Sequence, residues 1–241
     1  MADARIGTAG WAIPRLVADR FPAEGSGLQR YAARFDAAEI NTTFYRSHRP
    51  QTYLRWAESV PDGFRFAVKA PRAITHERRL VDVAALLDAF LAEVRLLGDR
   101  LGPVLVQLPP SLAYDAPAAG GFFATLRERH PGPVACEPRH ATWFEPDADA
   151  MLAAHRIARV AADPARHPLA GQPGGWPGLA YWRLHGSPRM YYSAYGEAAL
   201  DALAGQLRAG PDEAWCIFDN TTSGAATADA LELRRRLAPQ P

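Results

Sequence analysis

Glutamate, lysine, glutamine, arginine, histidine and aspartate recur in this chain at one kind of place, where a short apolar run ends. The runs close on Glu39 and Asn41, on Lys69, on Gln107, on Glu137 and Arg139, on His185, and on Asp219 and Asn220. A strand points successive side chains to opposite faces. One parity choice therefore groups Glu39 with Asn41, Ala67 with Lys69, Glu137 with Arg139, Arg183 with His185, and Ile217 with Asp219. The other parity collects Ile40, Phe66, Val68, Cys136, Trp182, Leu184 and Phe218. Acids and bases sort to one face and apolar residues to the other.

Three chemistries suit the polar set. Glu39 and Glu137 form a candidate acid–base pair, as in glycosidases, provided their surroundings separate their pKa values. Lys69 and Arg139 would instead hold both carboxyls ionised. Glu39, Glu137, His185 and Asp219, with His76 or His140, are ligands of the type that binds Zn²⁺ or Mn²⁺, which leaves a divalent metal open as a cofactor. No close-spaced ligand motif accompanies them: His76-Glu77-Arg78-Arg79 begins like a zincin helix and lacks the second histidine. Lys69 is a candidate nucleophile beside Arg72, or else the partner of Glu39 in an ion pair between neighbouring strands. There is no nucleophile elbow and no Gly-rich phosphate loop, so no motif indicates a cofactor.

The loop after Lys69 adds Arg72, His76, Arg78 and Arg79, and a pocket with a basic mouth suits a small anionic ligand. The catalytic candidates are Glu39, Lys69, Glu137 and His185. The substrate-binding candidates are Trp11, Asn41, Tyr45, Arg72, His76, Gln107, Arg139, Trp143 and Asp219. Trp11, Tyr45, Trp143 and the tyrosines at 191, 192 and 195 carry polar handles and suit stacking on a sugar or base, whereas Phe44 and Phe144 read as caps on the core. The favoured expectation is an enzyme for a small anionic or carbohydrate-like substrate, of hydrolase or lyase type. A metal-dependent nucleic-acid-processing enzyme of phosphodiesterase or nuclease type is the second reading, and a non-catalytic ligand-binding protein the third. Rim charges that only satisfy one another are the structural alternative, with Arg183 the leading case.

Strand-like runs at 5–8, 38–41, 65–69, 104–108, 135–139, 157–161, 180–185 and 215–219 must position these residues. Helical patterns lie between them, the clearest over 83–97 before Gly98. Ser26 is placed to cap a helix through Phe35, and Asp147 one through His155. Alternation of strand and helix implies parallel pairing. Eight such units imply a TIM-like (β/α)8 barrel, with an open doubly wound sheet as the alternative. A barrel builds its active sites at the C-terminal ends of its strands. Residues 163–178, rich in Pro and Gly, replace the sixth helix with a loop. No break in composition divides the 241 residues, so one domain over 1–241 is expected, and 48% hydrophobic content supports a core without staples. Two cysteines inside apolar runs, no apolar leader at residues 1–5 and no bilayer-length apolar stretch point to a cytoplasmic protein with no membrane partner. A net charge of +1 gives no general pull toward nucleic acid.

Several stretches resemble the DUF72 family of YecE-like proteins. They are Gly7-Thr8-Ala9-Gly10-Trp11, Glu39-Ile40-Asn41-Thr42-Thr43-Phe44-Tyr45-Arg46, and Phe64 to Arg72 with Ile74-Thr75-His76. They continue with Gly102-Pro103 through Gln107-Leu108-Pro109-Pro110, Glu137-Pro138-Arg139-His140 with Trp143-Phe144, and Arg183-Leu184-His185-Gly186. The resemblance covers almost the whole chain and implies a TIM-like barrel of unknown function. The chain departs from the pattern at two points. Phe218-Asp219-Asn220-Thr221 stands where the family's last strand ends in a Phe-Asn-Asn-like motif, and Asp229-Ala230 where Asn precedes Ala.

Overall fold

The computed structural model describes residues 4–238, so residues 1–3 of the expected leaderless start, and the last three of the single-domain span, lie outside the described residues. Among the described residues there are ten strand segments and seven α-helices. Along the chain the strands are β1 (Arg5–Thr8), β2 (Ala37–Ile40), β3 (Arg65–Lys69), β4 (Leu101–Gln107), β5 (Val134–Glu137), β6 (Ala158–Arg159), β7 (Ala161–Asp163), β8 (Gly174–Gly175), β9 (Ala180–Leu184) and β10 (Ala214–Phe218). The helices are α1 (Gly27–Ala32), α2 (Pro50–Glu58), α3 (Ala84–Val94), α4 (Ala116–Arg129), α5 (Pro146–Ala154), α6 (Glu197–Ala209) and α7 (Ala225–Leu237). The result is a mixed α/β fold with two sheets, ordered β1-β10-β9-β7 and β2-β3-β4-β5-β6-β8. Every pairing is parallel except the two-residue β6–β8 pair.

The ladders end as two sheets and do not close into one, which departs from the expected eight-stranded barrel. The expected strand over 157–161 is split. β6 pairs with β5 in one sheet, β7 pairs with β9 in the other, and only Val160 separates them. At the opposite seam Ala9 donates to the Phe218 carbonyl at 2.9 Å, and Gly10 donates to the Glu39 carbonyl at 2.8 Å. The backbones come close there, because a Cβ on Gly7 would stand 2.2 Å from the Ala37 carbonyl oxygen. Only glycine admits that approach.

Helix boundaries follow local chemistry. Ser26 and Gln29 form a capping box that starts α1, which ends at Ala32 rather than Phe35. α5 is capped two residues before the expected Asp147. Its N-cap is Glu145 and Pro146 occupies the first turn, where its fixed φ suits helix entry. α3 stops at Val94 and passes into a 3-10 segment, Arg95–Arg100, that bends at Gly98 with φ 55°. Residues 163–178 hold no α-helix, only a short 3-10 turn, Pro168–Gly171, and β8.

Apolar burial falls into two layers. Phe66, Val68, Cys136, Trp182, Leu184 and Phe218 pack outward against the helices. Ala37, Ala67, Leu105, Ala135, Ala158, Val160, Tyr181, Trp215 and Ile217 pack together on the inner sheet faces. Small residues dominate that inner layer, so side chains from both sheets can meet above it. Among the described residues no helix is long and apolar enough to cross a membrane.

Candidate functional site

Above the inner layer, the strand ends carry a buried web of charge. The Arg183 side chain is fully buried and its guanidinium grips Glu39 with two bonds, Nε to Oε2 at 3.0 Å and Nη2 to Oε1 at 2.7 Å. The same group donates through Nη1 to Glu137 Oε2 at 3.1 Å and pairs with Asp219 Oδ2 at 3.1 Å. Tyr181 Oη donates to Glu39 Oε2 at 3.1 Å. Glu137 also receives Gln107 Nε2 at 2.9 Å and Arg139 Nη2 at 2.8 Å. A buried charge is tolerated when it is paired and bonded like this, and a two-toothed guanidinium contact is the strong form of the pairing.

His185 completes the web. Its Nε2 lies 2.9 Å from Glu137 Oε1 and its Nδ1 lies 3.0 Å from Asp219 Oδ2. An ionised carboxylate only accepts, so these two contacts favour the imidazolium, with both ring nitrogens donating, against the Arg139 Nη2 that also lies 3.2 Å from Nε2. Burial pushes the His185 pKa down, but Glu137 and the two hydrogen bonds outweigh it and the net shift is upward. Burial likewise opposes ionisation of Glu137, yet Arg139, His185 and Arg183 hold its carboxyl well below the usual range. Asp219 is lowered against burial by Arg183 and His185.

These contacts occupy both members of the expected acid–base pair. Glu39 is 0% exposed, and its oxygens are taken by Arg183 and Tyr181. Glu137 is equally closed off and has no proton to give at neutral pH. The expected Lys69–Glu39 ion pair does not form either, because Glu39 is claimed by Arg183 from the other sheet. The three carboxyl groups are matched by Arg139, Arg183 and the His185 imidazolium. Among the described residues, that leaves the Lys69 amine with no carboxylate of its own. Its Nζ sits 4.0 Å from the centre of the Phe44 ring. Burial, reinforced by Arg183, lowers its pKa to about 8 against the opposing pull of Glu39, Glu137 and Asp219.

Lys69 opens on a basin of about 500 Å³ lined by Asn41, Phe44, Tyr45, Lys69, Arg72, His76, Gln107, Arg139, Tyr191 and Asp219, among others. A model of the family described as a protein of unknown function, DUF72, matches residues 5–241. The chain belongs to the DUF72 family. It is 33% identical to the UPF0759 protein YecE of Escherichia coli K12 over 142 residues, which is 58% of this chain and 49% of the relative. It is 27% identical to the UPF0759 protein YunF of Bacillus subtilis 168 over 149 residues, 58% of this chain and 52% of the relative. The chain thus spans about half the length of these curated relatives. A solved DUF72 structure from Thermotoga maritima superposes with a TM-score of 0.79 at 25% identity over 97% of this chain and 98% of that one. One from Enterococcus faecalis V583 gives 0.81 at 20% identity, covering 99% and 96%.

The basin gathers seven of the nine binding candidates: Asn41, Tyr45, Arg72, His76, Gln107, Arg139 and Asp219. The two tryptophans are elsewhere. Trp143 is 1% exposed and donates its Nε1 to the Leu112 carbonyl at 2.9 Å, so it packs beneath the rim and offers no stacking face. Trp11 leans edge-on against Trp56 and Phe66 and belongs to the outer core. Of the catalytic candidates only Lys69 lines the basin; Glu137 and His185 line a separate, smaller pocket with Arg139, Phe144 and Met190, and Glu39 is fully buried. The expected metal ligands Glu137, His185 and Asp219 do meet, but around guanidinium groups and as hydrogen-bond partners. Among the described residues no three His, Cys, Asp or Glu side chains are arranged to hold a metal. His140 instead caps the turn at Thr142.

His76 has Nδ1 on the Thr75 hydroxyl at 2.8 Å, and burial, then Lys69 and Arg72, lower its pKa. Arg72 forms an exposed ion pair with Glu77 at 3.5 Å, and Arg79 is committed to Ser111. The two departures from the family pattern are both built in: Asp219 holds His185, and Asp229 accepts from Asn220 at 2.7 Å and from the Tyr195 amide at 3.1 Å. Tyr191, one of the three tyrosines with a polar handle, is held at φ 68° and reaches the basin edge-on to His185. A plainer signal lay in the composition, since Lys69 is the sole lysine of the chain.

Proposed function

We propose that this DUF72 protein is an enzyme for a small anionic substrate, and that Lys69 rather than a carboxylate pair is its reactive group. The observation that carries this is the uncompensated amine: every carboxyl near Lys69 is already bonded to another donor. Arg72 and the outward side of Arg139 share the basin with it, and His76 adds a neutral proton carrier. Cations gathered around an open basin favour a carboxylate or phosphate on the ligand. The charged web occupies the neighbouring carboxyls, and Glu137 holds Arg139 Nη2 at 2.8 Å.

The same reading makes the two sheets halves of one (β/α)8 barrel, with the basin at its C-terminal rim. Support comes from both seams, where Val160 alone separates β6 from β7 and Ala9 bridges to Glu39. Calorimetric titration with inorganic phosphate and with glyoxylate tests the function. Saturable binding weakened by Arg72→Gln is expected, and no saturable heat from either anion would remove the proposal.

A further inference from the structure

The 27 cationic side chains of this chain are 26 arginines and one lysine. Arginine serves wherever only positive charge or a hydrogen-bonding fork is needed, and its guanidinium does not lose its proton in a protein. An amine can. The single lysine stands in the basin, buried to 5% exposure, over the face of Phe44 and, among the described residues, without a carboxylate partner. A position that only needed a cation above that web would be met by the residue used everywhere else.

Resting on the reading of the basin as an anionic-substrate site, we propose that Lys69 forms an imine with the carbonyl carbon of a small aldehyde or 2-oxo acid whose anionic group is held by Arg72 and Arg139. The Nζ lone pair attacks the carbonyl carbon, a C–N bond forms, and the π pair moves onto oxygen. Both amine protons pass to that oxygen, through His76 Nε2 or water. The C–O bond then breaks, one water leaves, and the C=N bond is complete. No oxidant or reductant enters. Phe44 gives the amine an apolar seat that stabilises the uncharged form as well as the cation, while burial disfavours the cation. With a pKa of about 8, roughly a tenth of the amine is neutral at pH 7, on the order of 300 times the fraction for an ordinary lysine.

The test is reductive trapping of the whole protein with glyoxylate and cyanoborohydride, read by peptide mass spectrometry. The only other amine in the sequence as given is the terminal one, so it serves as an internal control. The expected result is a mass gain at Lys69 equal to glyoxylate less one oxygen, saturable in glyoxylate. Arg72→Gln should lower that labelling about ten-fold, the loss of one charge-assisted contact, with labelling of the terminal amine unchanged. In Lys69→Arg the adduct should vanish while calorimetric binding of glyoxylate persists. Saturable binding with Lys69 left unmodified would overturn the imine and leave the anion site standing. Absence of any saturable binding would overturn both.

Discussion

Arg183 offers a sharp perturbation because it is wholly buried and faces Glu39, Glu137 and Asp219 at 2.7 to 3.1 Å. Arg183→Met keeps most of the volume and removes the cation, leaving three buried carboxyls with fewer donors. Breaking a buried pair from one side costs about 3–5 kcal/mol. At a specific unfolding entropy of about 2.1 cal/mol/K per residue, each kcal/mol moves the midpoint of a chain this long by roughly 2 °C. A fall of about 6–10 °C at pH 7 follows, measured by circular dichroism melting. The loss also has a sign in pH. Without Arg183, Glu39 keeps only the Tyr181 hydroxyl, whereas Glu137 retains Arg139 and His185 and Asp219 retains His185, so the buried charge of Glu39 destabilises the variant above about pH 4. The wild type meanwhile loses its own Glu137 and Asp219 contributions as pH falls through their depressed values. The gap between the two proteins should therefore narrow steadily from pH 7 to pH 4. An unchanged melting temperature, or a gap that does not depend on pH, would refute the pairing argument.

His185 has a raised pKa, so its contribution to stability should be complete below about pH 6.5 and fade as pH rises through the folded value; His185→Gln should be more damaging at pH 6 than at pH 9, and nitrogen NMR should find both ring nitrogens protonated at pH 7. Gly7→Ala drives a methyl into the Ala37 carbonyl and should cost about 3 kcal/mol or more, seen as a lowered denaturant midpoint. Asp229 is raised by burial, and both its donors reach the same oxygen, Oδ2. Asp229→Asn can keep both bonds through its carbonyl, so a gain in melting temperature at pH 7 that disappears in acid is expected.

The two faces of the strands were readable from the sequence because the period of two depends only on local backbone geometry. Ala67 and Ile217 indeed pack inside while Phe66, Val68 and Phe218 pack outside. Partners were not readable. Pairing Lys69 with Glu39 assumed that adjacent strands supply neighbours, whereas the guanidinium that takes Glu39 arrives from a residue 144 positions away, on the other sheet. How fully donors occupy Glu39 and Glu137 was unreadable for the same reason, since counting carboxylates says nothing about how many donors reach them. Loop aromatics were misjudged where a tight turn redirects the side chain: Trp143 lies in a 3-10 turn that tucks its indole under Leu112. The break at Val160 left no mark in the strand-like run Ile157-Ala158-Arg159-Val160-Ala161. The lone lysine was visible from the start, but its meaning came only with burial and the absence of a partner.

The central claim is that Lys69 carries an amine that titrates near neutrality in an anion-binding basin. Because the chain has one lysine, selective carbon-13 labelling of lysine gives a single Cε signal, whose shift can be followed from pH 6 to pH 11. The account predicts a midpoint of about 8, moving upward when phosphate occupies the basin and favours the cation. A midpoint near the ordinary lysine value of about 10.4, unmoved by phosphate, would contradict it.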